Sequence, residues 1–185
     1  MCSANHKQNI LMIFETRKDF DYPVLEYQKY KQAFEQNTLA KEIALAYGKT
    51  LKEVKELSSD SDHGGKITLS SLLVTMVAFS LEENGILGCT VKRGPAQTDL
   101  EDWWGRKWDV KTPPHIEGIG FNEESAIHSI LKKLNEFPDG NVGILLDVSF
   151  LQKKNYLELQ KDLKDRLNDN QKFLVRQVVV KGVLF

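Results

Sequence analysis

The chain has 185 residues, 25 basic and 26 acidic side chains, a net charge of −1 and 41% hydrophobic residues. That composition fits one globular domain, with or without a helical extension. It excludes a protein that coats nucleic acid through its overall field, so any nucleic-acid contact must come from a local patch. No apolar run approaches the roughly 18 residues of a membrane span, and the first residues lack the apolar core of a secretory signal. The only cysteines, Cys2 and Cys89, give no disulfide framework and fit a reduced compartment. Cys89 falls in an expected strand as a small buried thiol.

Residues 1–60 are polar, charged and mostly helical in pattern. After the break at Tyr22-Pro23, one helix is expected from about Val24 to Tyr47, with Leu25, Tyr30, Phe34, Leu39 and Ile43 along its stripe. Gly48 is its C-cap. A short helix over Leu51–Leu57 follows Thr50 as N-cap. Residues 58–65, Ser-Ser-Asp-Ser-Asp-His-Gly-Gly, read as a linker. They separate a helical N-terminal region, 1–60, from a second region, 66–185. The boundary is soft, because the first region can pack on the second.

The second region reads αβββαβαβ. A helix spans Ser70–Glu83 with Leu72, Leu73, Met76, Val77 and Phe79 as its apolar face, and Asn84-Gly85 stops it. A strand follows over Ile86–Lys92, then a turn at Gly94-Pro95. Residues 98–103 and 106–111 form a hairpin around Gly105. Pro113-Pro114 ends its second strand. A strongly amphipathic helix covers Asn122–Phe137, with Asn122 as its cap. The apolar run Val142–Val148 is a central strand buried on both faces. A helix over Tyr156–Leu167 and a strand over Leu174–Val183 close the chain.

The hairpin carries the chemistry. Asp109 and Lys111 stand two apart on a strand and share one face. Asp102, across the turn, can join Asp109 as an oxygen ligand for Mg²⁺. Lys111 can orient an attacking water or neutralise charge on phosphorus. Glu82 offers a third carboxylate, preferred over Glu83 because it borders the apolar face. Asp99 and Glu101 compete with Asp102, since they occupy the other strand face and only one face can see the metal. Lys92, Arg93, Arg106 and Lys107 surround the hairpin as a phosphate-steering patch. At least two of Trp103, Trp104 and Trp108 are expected to pack across the strands, with one, Trp104, free to stack on an unpaired base. Lys132 and Lys133 lie off the apolar face of their helix and are expected in solvent. His63 in the linker and His128 on its helix are expected to be plain surface residues, and His115 can approach the substrate.

From about residue 78 to 182 the chain resembles the tRNA-nuclease domain at the C-terminus of contact-dependent growth inhibition toxins, within the PD-(D/E)XK nuclease superfamily. The resemblance runs through Glu82-Glu-Asn-Gly-Ile86, Val91-Lys-Arg-Gly-Pro95, Asp99-Leu-Glu-Asp102 and, most specifically, Trp108-Asp-Val-Lys-Thr-Pro113. It implies a restriction-endonuclease-like α/β core, a central mixed sheet flanked by helices. It implies metal-dependent cleavage of RNA, with tRNA the expected substrate. Glu82, Asp102, Asp109 and Lys111 would act with Mg²⁺ or another divalent metal such as Mn²⁺ or Zn²⁺. It also implies a cognate immunity protein and action in the cytoplasm after delivery as part of a secreted toxin. The chain departs from the family in its helical N-terminal region and in the two tryptophans at the hairpin turn. Two rivals stand beside this reading. One is a DNA endonuclease on the same scaffold. The other is a catalytically inactive binding or immunity-type module.

Overall fold

A computed structural model describes residues 10–12, 23–85, 88 and 90–184. The elements in chain order are β1 (Ile10–Met12), α1 (Tyr27–Glu35), α2 (Leu39–Ala46), α3 (Leu51–Ser58), α4 (Leu69–Glu83), β2 (Lys92–Arg93), β3 (Leu100–Glu101), β4 (Lys107–Lys111), α5 (Glu123–Glu136), β5 (Val142–Asp147), α6 (Lys153–Arg166), α7 (Asp169–Lys172) and β6 (Val175–Val178). The strands form one six-stranded sheet in the order β1-β6-β5-β4-β3-β2. β4, β5 and β6 run parallel, while β2, β3 and β1 pair antiparallel to their neighbours. The chain is therefore an α/β protein with a mixed sheet flanked by helices.

Helices cover both faces, which explains the unbroken apolar run of β5. On one face, Leu100, Trp108, Val110, Leu145 and Val178 share a core with side chains of α1–α4. On the other, Ile144, Leu146 and Val175 pack against Ile127, Ile130 and Leu134 of α5 and Tyr156, Leu159 and Leu163 of α6. Alternate β5 residues thus feed two cores. α4 is the central helix of the first: every residue from Ser71 to Leu81 is buried, so it is enclosed all round rather than showing the single apolar face expected. Its polar groups are answered internally. Thr75 Oγ1 donates to the Ser71 carbonyl at 2.9 Å, and Ser80 Oγ lies 2.7 Å from the Tyr47 hydroxyl.

The helix expected over residues 24–47 is two helices. Asn37 takes a left-handed φ of 57°. Its N–H donates to the Phe34 carbonyl and that of Thr38 to the Ala33 carbonyl, both at 2.9 Å, which closes α1 in a Schellman motif with asparagine in the usual glycine place. The apolar stripe continues across the break because Tyr30 of α1 and Ile43 of α2 both face α4, so periodicity alone could not show the turn. Gly48, at φ 61°, ends α2 in the same way. Thr50 and Glu53 form a capping box on α3.

Residues 58–65 are ordered rather than a free linker. Ser61–His63 makes a 3₁₀ turn, Asp60 bridges to Lys66, and Asp62 Oδ2 accepts the Gln97 N–H at 3.0 Å. The first region accordingly packs on the second. Of the strand expected over Ile86–Lys92, only Lys92 enters β2. Ile86, Leu87 and Cys89 lie outside the described residues, as do Cys2 and Tyr22. Two elements went unread in the sequence, β1 and α7. The last strand is shorter than expected, because Val180 N–H turns to Ser149 Oγ (2.8 Å) and Val183 N–H to the Tyr30 hydroxyl (3.0 Å). Among the described residues no helix is long and apolar enough to cross a membrane.

Candidate functional site

The β3–β4 turn decides which carboxylates can work together. Asp102 Oδ1 accepts the N–H groups of Trp104 and Arg106, each at 2.9 Å, and Oδ2 accepts the Trp108 indole N–H at 2.9 Å. Asp102 is buried, and its charge is spent holding the turn around Gly105, at φ 80°. It shares the sheet face of Trp108, which is the face of the α4 core. The expectation that Asp102 joins Asp109 at a metal is therefore corrected: the two lie on opposite faces of the hairpin.

Asp99 stands where Asp102 was expected. The register pairs Leu100 with Trp108, which sets Asp99 across the hairpin from Asp109, on the α5 face. Asp99 Oδ2 accepts the Val110 N–H at 2.8 Å, so its carboxylate lies against β4 between Asp109 and Lys111. Burial, then the nearby Asp109 charge, pushes the Asp99 carboxyl up to about 6. Arg93 partly offsets this; its guanidinium sits 3.5 Å from Asp99 Oδ1 and 3.3 Å from Asp60 Oδ1.

Asp109 is buried and meets two ammonium groups. Lys111 Nζ is 2.8 Å from Oδ2, and Lys133 Nζ is 3.5 Å from Oδ1. The Lys111 contact is close but lacks hydrogen-bond geometry, so Asp109 Oδ2 is a buried acceptor without a hydrogen bond. Lys133 is also held by the Gln97 carbonyl at 3.0 Å and by Glu136 at 3.2 Å. It was expected in solvent. Its side chain is instead only 15% exposed, because positions 126, 130, 133 and 137 continue one stripe of α5 toward the sheet. That spacing was readable, and the positive charge hid it. Lys132 and His128 are exposed, as expected.

The pair offers oxygen donors only, and both Asp109 oxygens already face ammonium groups. Two carboxylates on one face repel each other, one of their oxygens lacks a hydrogen bond, and all-oxygen donors match Mg²⁺ or Mn²⁺ better than Zn²⁺. Among the described residues no group of three or more His, Cys, Asp or Glu side chains could hold a metal ion. A cation between Asp99 and Asp109 would thus take most of its ligands from water or from substrate phosphate, as Mg²⁺ commonly does.

The structure does not bring Glu82 to this pair. Its carboxylate is 2.8 Å from Lys49 Nζ and accepts the Val91 N–H at 2.9 Å, so it ties α4 to the α2–α3 connection and to the approach to β2. The basic patch also divides. Trp104, Arg106 and Lys107 line one polar cavity of about 650 Å³ with Phe137 and Asn141, whereas Lys92 and Arg93 border another beside Lys49 and Glu82. Lys92 is exposed. Arg93 is committed to Asp60 and Asp99, and Arg106 lies 4.8 Å over the Trp108 ring. Only Trp108 of the three tryptophans is buried; Trp103 and Trp104 are 64% and 70% exposed, against the expected cross-strand packing of two. His63 Nδ1 is 2.8 Å from Asp60 Oδ2, which links it through Arg93 to Asp99. His115 holds Phe150 O through its backbone N–H, at 3.0 Å.

Searches against protein-family models, curated proteins and solved structures find no match to this chain.

Proposed function

We propose that this chain is a metal-dependent endoribonuclease of the PD-(D/E)XK kind, acting on tRNA as a toxin domain of contact-dependent growth inhibition. One observation carries the reading. Asp99, Asp109 and Lys111 converge on one sheet face at the hairpin; of the four residues the resemblance implies, this group keeps Asp109 and Lys111, has Asp99 in place of Asp102 and is without Glu82.

In this reading Asp99 and Asp109 hold Mg²⁺ or Mn²⁺. When bound, the cation supplies charge neutralisation at the phosphate and eases deprotonation of water. Lys111 presents its ammonium beside Asp109, where it positions the attacking water or offsets charge developing on the phosphate oxygens. Lys133 fixes the second Asp109 oxygen and so orients the carboxylate. Trp104, Arg106 and Lys107 at the far end of β4 bind the RNA strand by stacking and charge. Glu82 has a structural role here. Action on tRNA places the activity in the cytoplasm, and an immunity protein would block the α5 face of the hairpin.

The test is incubation of the purified chain with total tRNA, with Mg²⁺ and with EDTA, beside Lys111→Ala and Asp99→Asn. Discrete fragments that require the metal and both side chains are expected. Undiminished cleavage by Lys111→Ala sinks the assignment. Cleavage of duplex DNA alone moves it to the DNA endonuclease reading. A second reading, an inactive binding module, draws on the two lysines that already neutralise Asp109. It requires that Mn²⁺ fail to bind in a direct titration.

A further inference from the structure

We infer that the cavity beside Lys111 receives an unpaired nucleobase of the RNA substrate, an inference that rests on the nuclease reading above. The cavity, about 630 Å³, lies between the end of β4, residues 112–122 and the first half of α5. That volume is in the ~300–1,000 Å³ range of small-molecule sites. Its lining is mixed, with Leu146, Ile130 and Phe121 as apolar wall and Ser129 adding a hydroxyl. Ile119 also lines it and is 82% exposed, an aliphatic group held in water where a ligand could cover it.

Lys111 joins this cavity to the acidic pair. The same side chain lines the cavity and lies 2.8 Å from Asp109. A phosphodiester placed at Asp99 and Asp109 therefore sets an adjacent nucleoside at the cavity mouth. The lining selects what enters. Glu124 is already paired with Arg166, and the apolar side chains Leu146, Ile130 and Phe121, set among a few hydroxyl and amide groups, suit a flat heteroaromatic ring with polar edges. The wall is preformed. Pro113 and Pro114 stiffen it, and the Ile116–Gly120 bridge closes it, with the Ile116 N–H on the Gly120 carbonyl at 3.0 Å. A base already unpaired enters such a recess without the cost of leaving a duplex, so the site favours single-stranded loops, where RNA bases are splayed and open to recognition.

The experiment has two arms. Adenosine 5′-monophosphate and uridine 5′-monophosphate are titrated into the full chain and followed by amide and methyl NMR, with inorganic phosphate as control. Shifts at Ile119, Ser129 and Ile130 with the nucleotides, and none with phosphate, are expected. Resonances that stay unmoved, or that move equally with phosphate, overturn the base site. In the second arm Ser129→Trp fills the cavity, and Ile119→Ser alters its lip without touching the core. Cleavage of tRNA slowed by about 10- to 100-fold in Ser129→Trp is expected, with Mn²⁺ affinity unchanged and a smaller loss in Ile119→Ser. Wild-type cleavage rates in both variants overturn it. The two readings part cleanly: nucleotide shifts in a protein that cuts no RNA keep the base site and remove the nuclease, whereas metal-dependent cleavage without those shifts does the reverse.

Discussion

Asp99 and Asp102 sit three positions apart and meet opposite surroundings, which gives each substitution its own signature. Asp102→Ala strips an acceptor from two backbone N–H groups and from the buried Trp108 indole. A loss of about 2–3 kcal/mol in urea unfolding is expected, since buried donors left unpaired cost on that order. Asp99→Asn relieves repulsion from Asp109. It should leave stability at pH 7 equal or higher while Mn²⁺ affinity falls at least tenfold in a direct titration. The reverse pattern would make Asp102, not Asp99, the partner of Asp109 in the proposed cation site. In the sequence, Asp109 and Lys111 were legible because a two-residue spacing fixes a shared face on any strand. The hairpin partner was not, because its face depends on register, and register depends on the turn. The clue was Asp102 followed three residues later by Gly105: an aspartate at the first turn position accepts local backbone N–H groups. Lys133 shows a further limit, since a charged residue within an apolar stripe reads as solvent-facing until its carboxylate partner is placed.

Helices and strands were read well wherever capping residues bracket a run of one period. Thr50, Asn122 and Gly48 marked true boundaries, whereas the α1–α2 break rests on Asn37, which is an ordinary helical residue by propensity alone. Asn37→Gly should keep or slightly raise the melting temperature. Asn37→Leu should cost about 1–2 kcal/mol, the penalty of a left-handed backbone for a residue with a Cβ, read in the same unfolding assay. β5 depends on close approach rather than on conformation. A Cβ at Gly143 would lie 2.5 Å from Cζ3 of Trp108, which is fully buried. Gly143→Ala therefore has to move the indole or part β4 from β5. A cost of about 1–3 kcal/mol is expected, as for other overpacked cores, with a shift in tryptophan emission that a surface substitution would not give.

At the scale of the whole molecule, the α1–α4 core and the sheet enclose a carboxylate that the nuclease reading does not use. Asp147, at the end of β5, is completely buried, and burial raises its carboxyl to about 6, although Ser149 and Thr112 donate to it. A carboxyl raised in the folded state binds its proton more tightly there than in the unfolded chain. Its contribution is therefore favourable below the ordinary carboxylate range and is lost as pH rises to about 6. Asp147→Asn should gain stability over the wild type by up to about 3 kcal/mol at pH 7.5 and far less at pH 4.5, as two pKa units allow. Urea unfolding of both proteins at the two pH values checks this. An equal difference at both would mean that Asp147 stays charged throughout. Nothing in the sequence marked this residue beyond its place at the end of an apolar run, since its enclosure comes from α1–α4 and the final segment folding over it.

The pairing of β1 with β6, Ile10 beside Val178, joins nearly the first described residues to nearly the last. During synthesis those three residues emerge long before their partner exists, and closing so long a loop is slow. β1 can dock only after β6 has been made. Until it does, the Val175–Val178 edge stands open to strands of other chains, the usual route to aggregation. Removal of the first 20 residues should leave the α/β core folded yet markedly more prone to self-association in light scattering.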